Sequence, residues 1–133
     1  MRVVVDTNVL VSSFFGGPPR EVIDCWRRGE ITLCVSRDLM DEYVEVLHRL
    51  GLEAALIREL LELFASGFNL VFTASTEPLR VLEKDPDDNR LFECAVALKA
   101  KWIVTGDKAV RRVERYMDIE VATPTEFLAR LRA

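Results

Sequence analysis

VVVDTN, residues 3–8, is the stretch of this sequence that decides the fold. Three consecutive β-branched valines are typical of a strand buried on both faces, as in a parallel sheet covered by helices. Asp6 then stands at the carboxyl end of that strand, which is the edge where open α/β sheets bind ligands. Alternatively, Asp6 only caps a helix that begins at Thr7, a role that aspartate fills well. The stretch alone favours neither interpretation.

Predicted strands and helices alternate along the rest of the chain. Beyond residues 2–5, strands are predicted at 31–36, from 69, from 102 and, as a short fifth strand, within 120–123. Helices are predicted at 7–14, from Pro19 to about Arg28, at 37–50, at 53–65, from the DPDDN stretch (85–89) to about Lys101, after Asp107 and after Thr123. Strands separated by helices favour parallel pairing with right-handed crossovers. We therefore predict a single three-layer α/β domain over residues 1–133, with a four- to five-stranded parallel sheet flanked by helices.

The composition is that of a soluble globular protein, with 50% hydrophobic and 30% charged residues. No stretch is long enough to span a membrane. Three widely spaced cysteines, Cys25, Cys34 and Cys94, predict reduced core thiols and a cytoplasmic location. The lone histidine, His48, argues against a zinc site and against a histidine-based triad. A formal net charge of −4 does not by itself favour nucleic-acid binding, which Lys and Arg drive.

A second predicted strand also ends in an aspartate, since WIVTGDK (102–108) places Asp107 where VVVDTN places Asp6. Asp107, too, has the alternative role of a helix cap. In DPDDN, three aspartates crowd the first turn of a helix, where the helix dipole alone accounts for them. The chain leaves Asp88 along this helix and returns along the next strand. We therefore expect Asp88, Asp107 and Asp6 on the same edge of the sheet.

The predicted helix at 37–50 adds a fourth acid. Its apolar stripe consists of Leu39, Tyr43, Val46, Leu47 and Leu50, and its acids are Asp38, Asp41, Glu42 and Glu45. Glu42 lies about 40° from Val46 and about 60° from Leu39 around the helix axis, closer to the stripe than the other acids. Glu42 is therefore the acid expected to point inward, with a solvated glutamate at the margin of the stripe as the alternative.

Four carboxylates in one pocket would repel one another. Two like charges about 4 Å apart repel by roughly 4 kcal/mol at an effective dielectric constant of 20, so protonation or a cation must relieve the repulsion. Oxygen ligands without histidine or cysteine select Mg²⁺ or Mn²⁺. Such a cation can orient water, lower its pKa and offset charge on a phosphodiester transition state. This chemistry is that of a metal-dependent nuclease.

The motifs together resemble the PIN-domain family, and within it the small single-domain toxins of toxin-antitoxin pairs. The resemblance covers essentially the whole chain through VVVDTN, SRDLMDEYVEVL (36–47) and DPDDNRLFECAVALKAKWIVTGDK (85–108). It implies a Rossmann-like parallel sheet and an endoribonuclease dependent on Mg²⁺ or Mn²⁺. The implied catalytic and metal-binding acids are Asp6, Glu42, Asp88 and Asp107, with Asn8 assisting Asp6 and Thr105 at the family's hydroxyl position. We choose Asp88 over Asp85 and Asp87 because it directly precedes the apolar helix.

The resemblance also implies partners: an RNA substrate, a second copy of the chain in a homodimer, and a small antitoxin protein that occludes the active site. Two other functions stay open. One is a phosphohydrolase or phosphotransferase acting on small molecules, in which Asp6 would accept phosphate. Such enzymes often carry a second acid two residues later, where this chain has Asn8. The other is a non-catalytic binding module in which the acids are only caps and solvated charges.

Overall fold

Short apolar runs form the strands of one mostly parallel sheet. The computed structural model describes residues 1–133. The strands are β1 (Arg2–Val5), β2 (Thr32–Ser36), β3 (Leu70–Thr73), β4 (Trp102–Val104), β5 (Arg115–Tyr116) and β6 (Ile119–Ala122), in the order β3-β2-β1-β4-β6-β5. All neighbouring strands are parallel except β5, which runs antiparallel to β6. The predicted α/β class with a parallel sheet is confirmed.

The sheet is covered by helices on both faces. The helices are α1 (Thr7–Ser12), α2 (Gly17–Arg27), α3 (Arg37–Arg49), α4 (Ala54–Ser66), α5 (Asn89–Ala97), α6 (Lys108–Arg111) and α7 (Pro124–Leu131), with short 3-10 turns at Ser13–Phe15 and Pro86–Asp88. Successive strand residues point to opposite faces, so a strand buried at every position must be covered on both. In β1, Val3, Val4 and Val5 are 0%, 0% and 1% exposed. This burial is what the three consecutive valines predict.

The order of the strands reverses between β1 and β4. From β1 the chain proceeds outward to β2 and β3, then returns to the other side of β1 as β4. In open α/β sheets the crevice outside the carboxyl ends of the strands at such a reversal is where ligands bind. Asp6 follows β1 and Asp107 lies three residues beyond the end of β4. Both acids therefore flank the crevice that the topology creates.

The expected four- to five-stranded parallel sheet is confirmed, since five strands, β3, β2, β1, β4 and β6, pair in parallel. The sheet also has a sixth, antiparallel strand, β5, whose two residues are too few to show an alternating pattern in the sequence. One expectation about the helices is wrong in detail. The helix that follows Asp88 ends at Ala97 and not near Lys101. Lys99 adopts the left-handed conformation (φ 55°) that commonly ends a helix. Since glycine usually occupies that position, a lysine there gives no warning in the sequence.

The core is one cluster of buried side chains that includes all three cysteines, and none of the three forms a disulfide. Burial raises the pKa of the Cys34 thiol to about 11 and that of Cys94 to about 12. These thiols stay protonated at neutral pH, so they are core residues and not nucleophiles. None of the seven helices is both long enough and apolar enough to cross a membrane.

Candidate active site

Asp6 is the most buried acid at the carboxyl edge of the sheet, with 7% of its surface exposed. Its backbone N–H donates to the carbonyl oxygen of Val104 (3.0 Å), which continues the pairing of β1 with β4. Its Oδ2 accepts a hydrogen bond of 2.6 Å from the hydroxyl of Thr105. Although Asp6 occupies the N-cap position of α1, its carboxylate makes no capping hydrogen bond. The carboxylate is therefore directed across the crevice toward β4 rather than onto its own helix.

Thr105 and Asp107 form the β4 side of the crevice. Thr105 is fully buried, and its hydroxyl also accepts a hydrogen bond of 3.0 Å from the backbone N–H of Asp107. Asp107 does cap its helix, because Oδ1 accepts from the backbone N–H groups of Ala109 (2.8 Å) and Val110 (3.4 Å). The two strand-end aspartates are thus used differently, and the capping alternative applies to Asp107 alone. Its capping bonds use one carboxylate oxygen and leave Oδ2 available.

Glu42 is half-buried on α3, whereas Asp38, Asp41 and Glu45 on the same helix are exposed. One oxygen of Glu42, Oε2, accepts a hydrogen bond from the buried hydroxyl of Thr7, the residue next to Asp6. The contact holds Glu42 beside the end of β1. The inward direction expected of Glu42 from its place on the helix agrees with this placement.

The adjacent residue on α3, Tyr43, makes a second tie to β1. Its hydroxyl donates to the carbonyl oxygen of Val5, the residue before Asp6. Tyr43 is 1% exposed, and burial raises the pKa of its phenol well above the usual value, so it acts as a neutral donor. Neither Thr7 nor Tyr43 was singled out from the sequence as a site residue. Thr7 stands inside the VVVDTN motif, which is a signal for it, but the role of Tyr43 depends on how α3 packs on β1.

Asp88 ends the 3-10 turn before α5 and is half-buried, while Asp85 and Asp87 are exposed. Burial, and after it the charges of Asp85, Asp107, Asp6 and Glu42, together raise the pKa of Asp88 to about 7. Asp88 is therefore near enough to the other acids at this edge of the sheet for their charges to act on it. Of these four acids, Asp85 has the largest effect on the pKa of Asp88, although the sequence analysis did not choose Asp85 as a site residue.

The pKa of Asp6 also depends on the other acids at this edge of the sheet. Burial raises the pKa of Asp6, the hydrogen bond from Thr105 and the backbone amide of Asn8 lower it, and the charges of Glu42 and Asp107 raise it. Asn8 is exposed, and the influence of its backbone amide on the pKa of Asp6 comes without a capping hydrogen bond to the carboxylate. Acids from four separate parts of the chain therefore influence one another at one edge of the sheet.

The four carboxylates are grouped loosely. No three His, Cys, Asp or Glu side chains lie close enough together to form a direct metal-binding group. The chemistry of the donors nonetheless fits a hard divalent cation, because all four are oxygen ligands and two have raised pKa values from burial and neighbouring negative charge. The hydrogen bonds to Asp6, Glu42 and Asp107 each occupy one carboxylate oxygen. The remaining oxygens are available to a cation that keeps some of its waters, as Mg²⁺ usually does.

Comparison with known families identifies the class of protein that this fold and site define. The family model of the PIN domain matches residues 2–109, which include every candidate site residue. The chain belongs to the PIN-domain family, whose members are inferred to be nucleases and typically use divalent metals. No curated protein matches the chain closely enough to add a relative.

Proposed function

We propose that this PIN-domain protein is an endoribonuclease that hydrolyses RNA phosphodiesters with Mg²⁺ or Mn²⁺. The observation that carries the proposal is the electrostatic coupling of Asp88 to Asp6, Glu42 and Asp107 at the crevice where the strand order reverses. Like charges gathered in a partly buried place cost free energy, which either protonation or a bound cation relieves. The proposal assigns cation binding to these four acids.

The chain's own groups have distinct parts in this proposal. A bound divalent cation supplies a Lewis acid that lowers the pKa of water and offsets charge on the phosphodiester. Thr105 holds Asp6 through Oδ2, and Thr7 holds Glu42 through Oε2, so the proposal assigns the second oxygen of each carboxylate to the cation. Asp88, with a pKa of about 7, carries a proton for part of the time at neutral pH in the metal-free protein and releases it when a cation is bound.

We further propose that the protein is the toxin of a toxin-antitoxin pair, acts in the cytoplasm as a homodimer and is inhibited by a small antitoxin protein. The resemblance to small PIN-domain toxins is the main support. An exposed aromatic side chain adds to it, since Phe15 is 75% exposed. Its neighbour Phe14 lines a cavity of about 300 Å³ whose other side chains are both apolar and charged. Trp26, another aromatic considered for an interface, is fully buried and does not contribute.

The experiment that tests the nuclease is cleavage of single-stranded and structured RNA by purified protein with Mn²⁺, with Mg²⁺ or with EDTA. Wild type is expected to cleave RNA only with metal. Asp6→Asn and Asp107→Asn are each expected to reduce the cleavage rate by more than the roughly 10- to 100-fold that the loss of an outer-shell partner costs. Asp118→Asn is the matched control, because Asp118 is an exposed acid just before β6, at the edge of the sheet opposite the four site acids.

Three results would contradict the proposal. Equal cleavage by wild type and both site variants would indicate a contaminant or a different site. Efficient hydrolysis of p-nitrophenyl phosphate with intact RNA would favour the small-molecule phosphohydrolase. No hydrolysis of either substrate, with Mn²⁺ shown to be bound, would favour a non-catalytic binding module.

A further inference from the structure

Asn89, the first residue of α5, is a buried amide that bonds to a different segment of the chain. It is 5% exposed. Its Oδ1 accepts from the backbone N–H groups of Val81 (3.1 Å) and Leu82 (2.7 Å), and its Nδ2 donates to the carbonyl oxygen of Leu82 (2.9 Å). One side chain thus makes three hydrogen bonds to two adjacent residues. None of these bonds belongs to α5 itself.

A second residue of α5 fastens the same segment. Glu93 lies one helical turn after Asn89, on the same face of α5. Its Oε2 accepts from the backbone N–H of Leu79 (2.8 Å). The segment between β3 and Asp85 has no regular structure and no backbone-to-backbone hydrogen bonds of its own. The side chains of Asn89 and Glu93 therefore supply the partners that a strand or helix would otherwise provide.

The contact between Asn89 and Leu82 closes a short loop that contains all three aspartates of the DPDDN stretch. Residues 82 and 89 are its two ends, and Asp85, Asp87 and Asp88 lie between them. Closing a loop restricts the paths that its residues can take. Asp88 has helical backbone angles (φ −71°, ψ −18°) and makes no capping bond, so its carboxylate is not drawn onto the end of α5.

We propose that Asn89 is a positioning residue: by closing the 82–89 loop it holds the carboxylate of Asp88 toward Asp6, Glu42 and Asp107. This role rests on the proposed metal site. It goes beyond that site because Asn89 touches neither the cation nor the substrate and acts through Asp88. A purely structural Asn89 would contribute to folding stability without any specific coupling to Asp88.

The test is a double-mutant cycle on Mn²⁺ affinity, measured by isothermal titration calorimetry on the full chain. Asn89→Leu removes all three hydrogen bonds and is expected to weaken Mn²⁺ binding by roughly 10- to 100-fold, the range for outer-shell partners. In the Asp88→Asn background the same change is expected to cause no further loss, because the carboxylate it positions is already gone. Asn89→Ala removes the same three hydrogen bonds without adding a charge. It is expected to lose as much affinity as Asn89→Leu and serves in its place if that variant does not fold.

A control separates positioning from general destabilisation. Asn69 stands before β3, at the opposite edge of the sheet, with a positive φ of 40° that favours asparagine. Asn69→Ala is expected to lower stability and to leave Mn²⁺ affinity unchanged.

Two results would overturn the positioning role while leaving the nuclease proposal intact. One is wild-type Mn²⁺ affinity in Asn89→Leu, and the other is an equal loss of Mn²⁺ affinity with Asp88 and with Asp88→Asn. A wild type that binds no Mn²⁺ would overturn the metal site and this role with it, whereas intact coupling without RNA cleavage would overturn only the nuclease.

Discussion

The hydroxyl of Thr105, just beyond β4, donates a 2.6 Å hydrogen bond to Oδ2 of Asp6, just beyond β1. The two residues are 99 positions apart in the sequence and meet because β1 and β4 are parallel neighbours at the reversal of the strand order. The bond favours the ionised form of Asp6, whose pKa burial raises. Thr105 therefore helps to keep a buried carboxylate available to a cation.

The first prediction concerns this hydrogen bond. Thr105→Val has nearly the same shape but no hydroxyl, so the pKa of Asp6 is expected to rise further and Mn²⁺ affinity to fall by roughly 10- to 100-fold. The backbone N–H of Asp107 also loses its acceptor, which costs about 1–3 kcal/mol of folding stability. Calorimetry and urea unfolding measure the two effects. Thr105→Ser restores the hydroxyl and is expected to recover both; wild-type affinity in the valine variant would refute the role of the bond.

The second prediction concerns pH and the stability of the metal-free protein. The pKa of Asp88 is raised from an ordinary value of 3.8 to about 7, so between these values the folded state binds more protons at this group than the unfolded state does. The contribution of Asp88 to stability therefore falls as pH rises from about 4 to about 7, and it stays low above that range. Urea unfolding in EDTA at several pH values is expected to show a steeper decline for wild type than for Asp88→Asn. Parallel curves for the two proteins would contradict the prediction.

The third prediction concerns the effect of metal on thermal stability. Protons and cations compete for the same carboxylates, so saturating Mn²⁺ is expected to raise the melting temperature more at pH 8 than at pH 5.5. At 100 times the dissociation constant, binding to the folded state alone stabilises by about 2.7 kcal/mol. Differential scanning fluorimetry measures the shift, and Asp118→Asn is expected to match wild type. An equal shift at both pH values would indicate binding elsewhere.

The fourth prediction concerns the tie between α3 and β1. Tyr43→Phe leaves the buried carbonyl oxygen of Val5 without its phenolic donor, which is expected to cost about 1–3 kcal/mol in urea unfolding. Because Tyr43 adjoins Glu42 in the sequence, Mn²⁺ affinity is expected to fall as well. Tyr116→Phe is the matched control: Tyr116 is half-buried against Phe92 and its hydroxyl makes no hydrogen bond within the protein. A change within about 0.5 kcal/mol is expected for it, and the same small change in Tyr43→Phe would contradict the prediction.

Much of this arrangement follows from local sequence patterns and one topological rule. The valines before Asp6 predict a buried strand, and the stripe on α3 predicts an inward Glu42. The helix predicted after Thr123 is α7, which Thr123 and Glu126 cap together. Parallel pairing then puts the strand-end acids on one edge. These features depend on residues close in the sequence, or on the common direction of the strands.

The features that were missed depend on contacts between distant residues or on unusual backbone conformations. The hydrogen bonds between Asn89 and Leu82 depend on the path of an irregular segment, which no periodic pattern in the sequence predicts. The end of α5 depends on a lysine in a conformation that glycine usually adopts. Asp107 caps its helix, whereas Asp6 does not. This difference depends on the hydroxyl of Thr105, which reaches Asp6 only in the folded sheet.

The account's central claim is that Asp6, Glu42, Asp88 and Asp107 share a divalent cation. The most direct measurement is paramagnetic broadening of backbone amide signals in ¹⁵N-labelled protein as Mn²⁺ is added at low molar ratio. We predict broadening first at these four residues and their neighbours in the crevice, and its loss in Asp6→Asn. Broadening that begins at exposed acids away from the crevice, such as Glu62 or Asp118, or that is unchanged in Asp6→Asn, would contradict the claim.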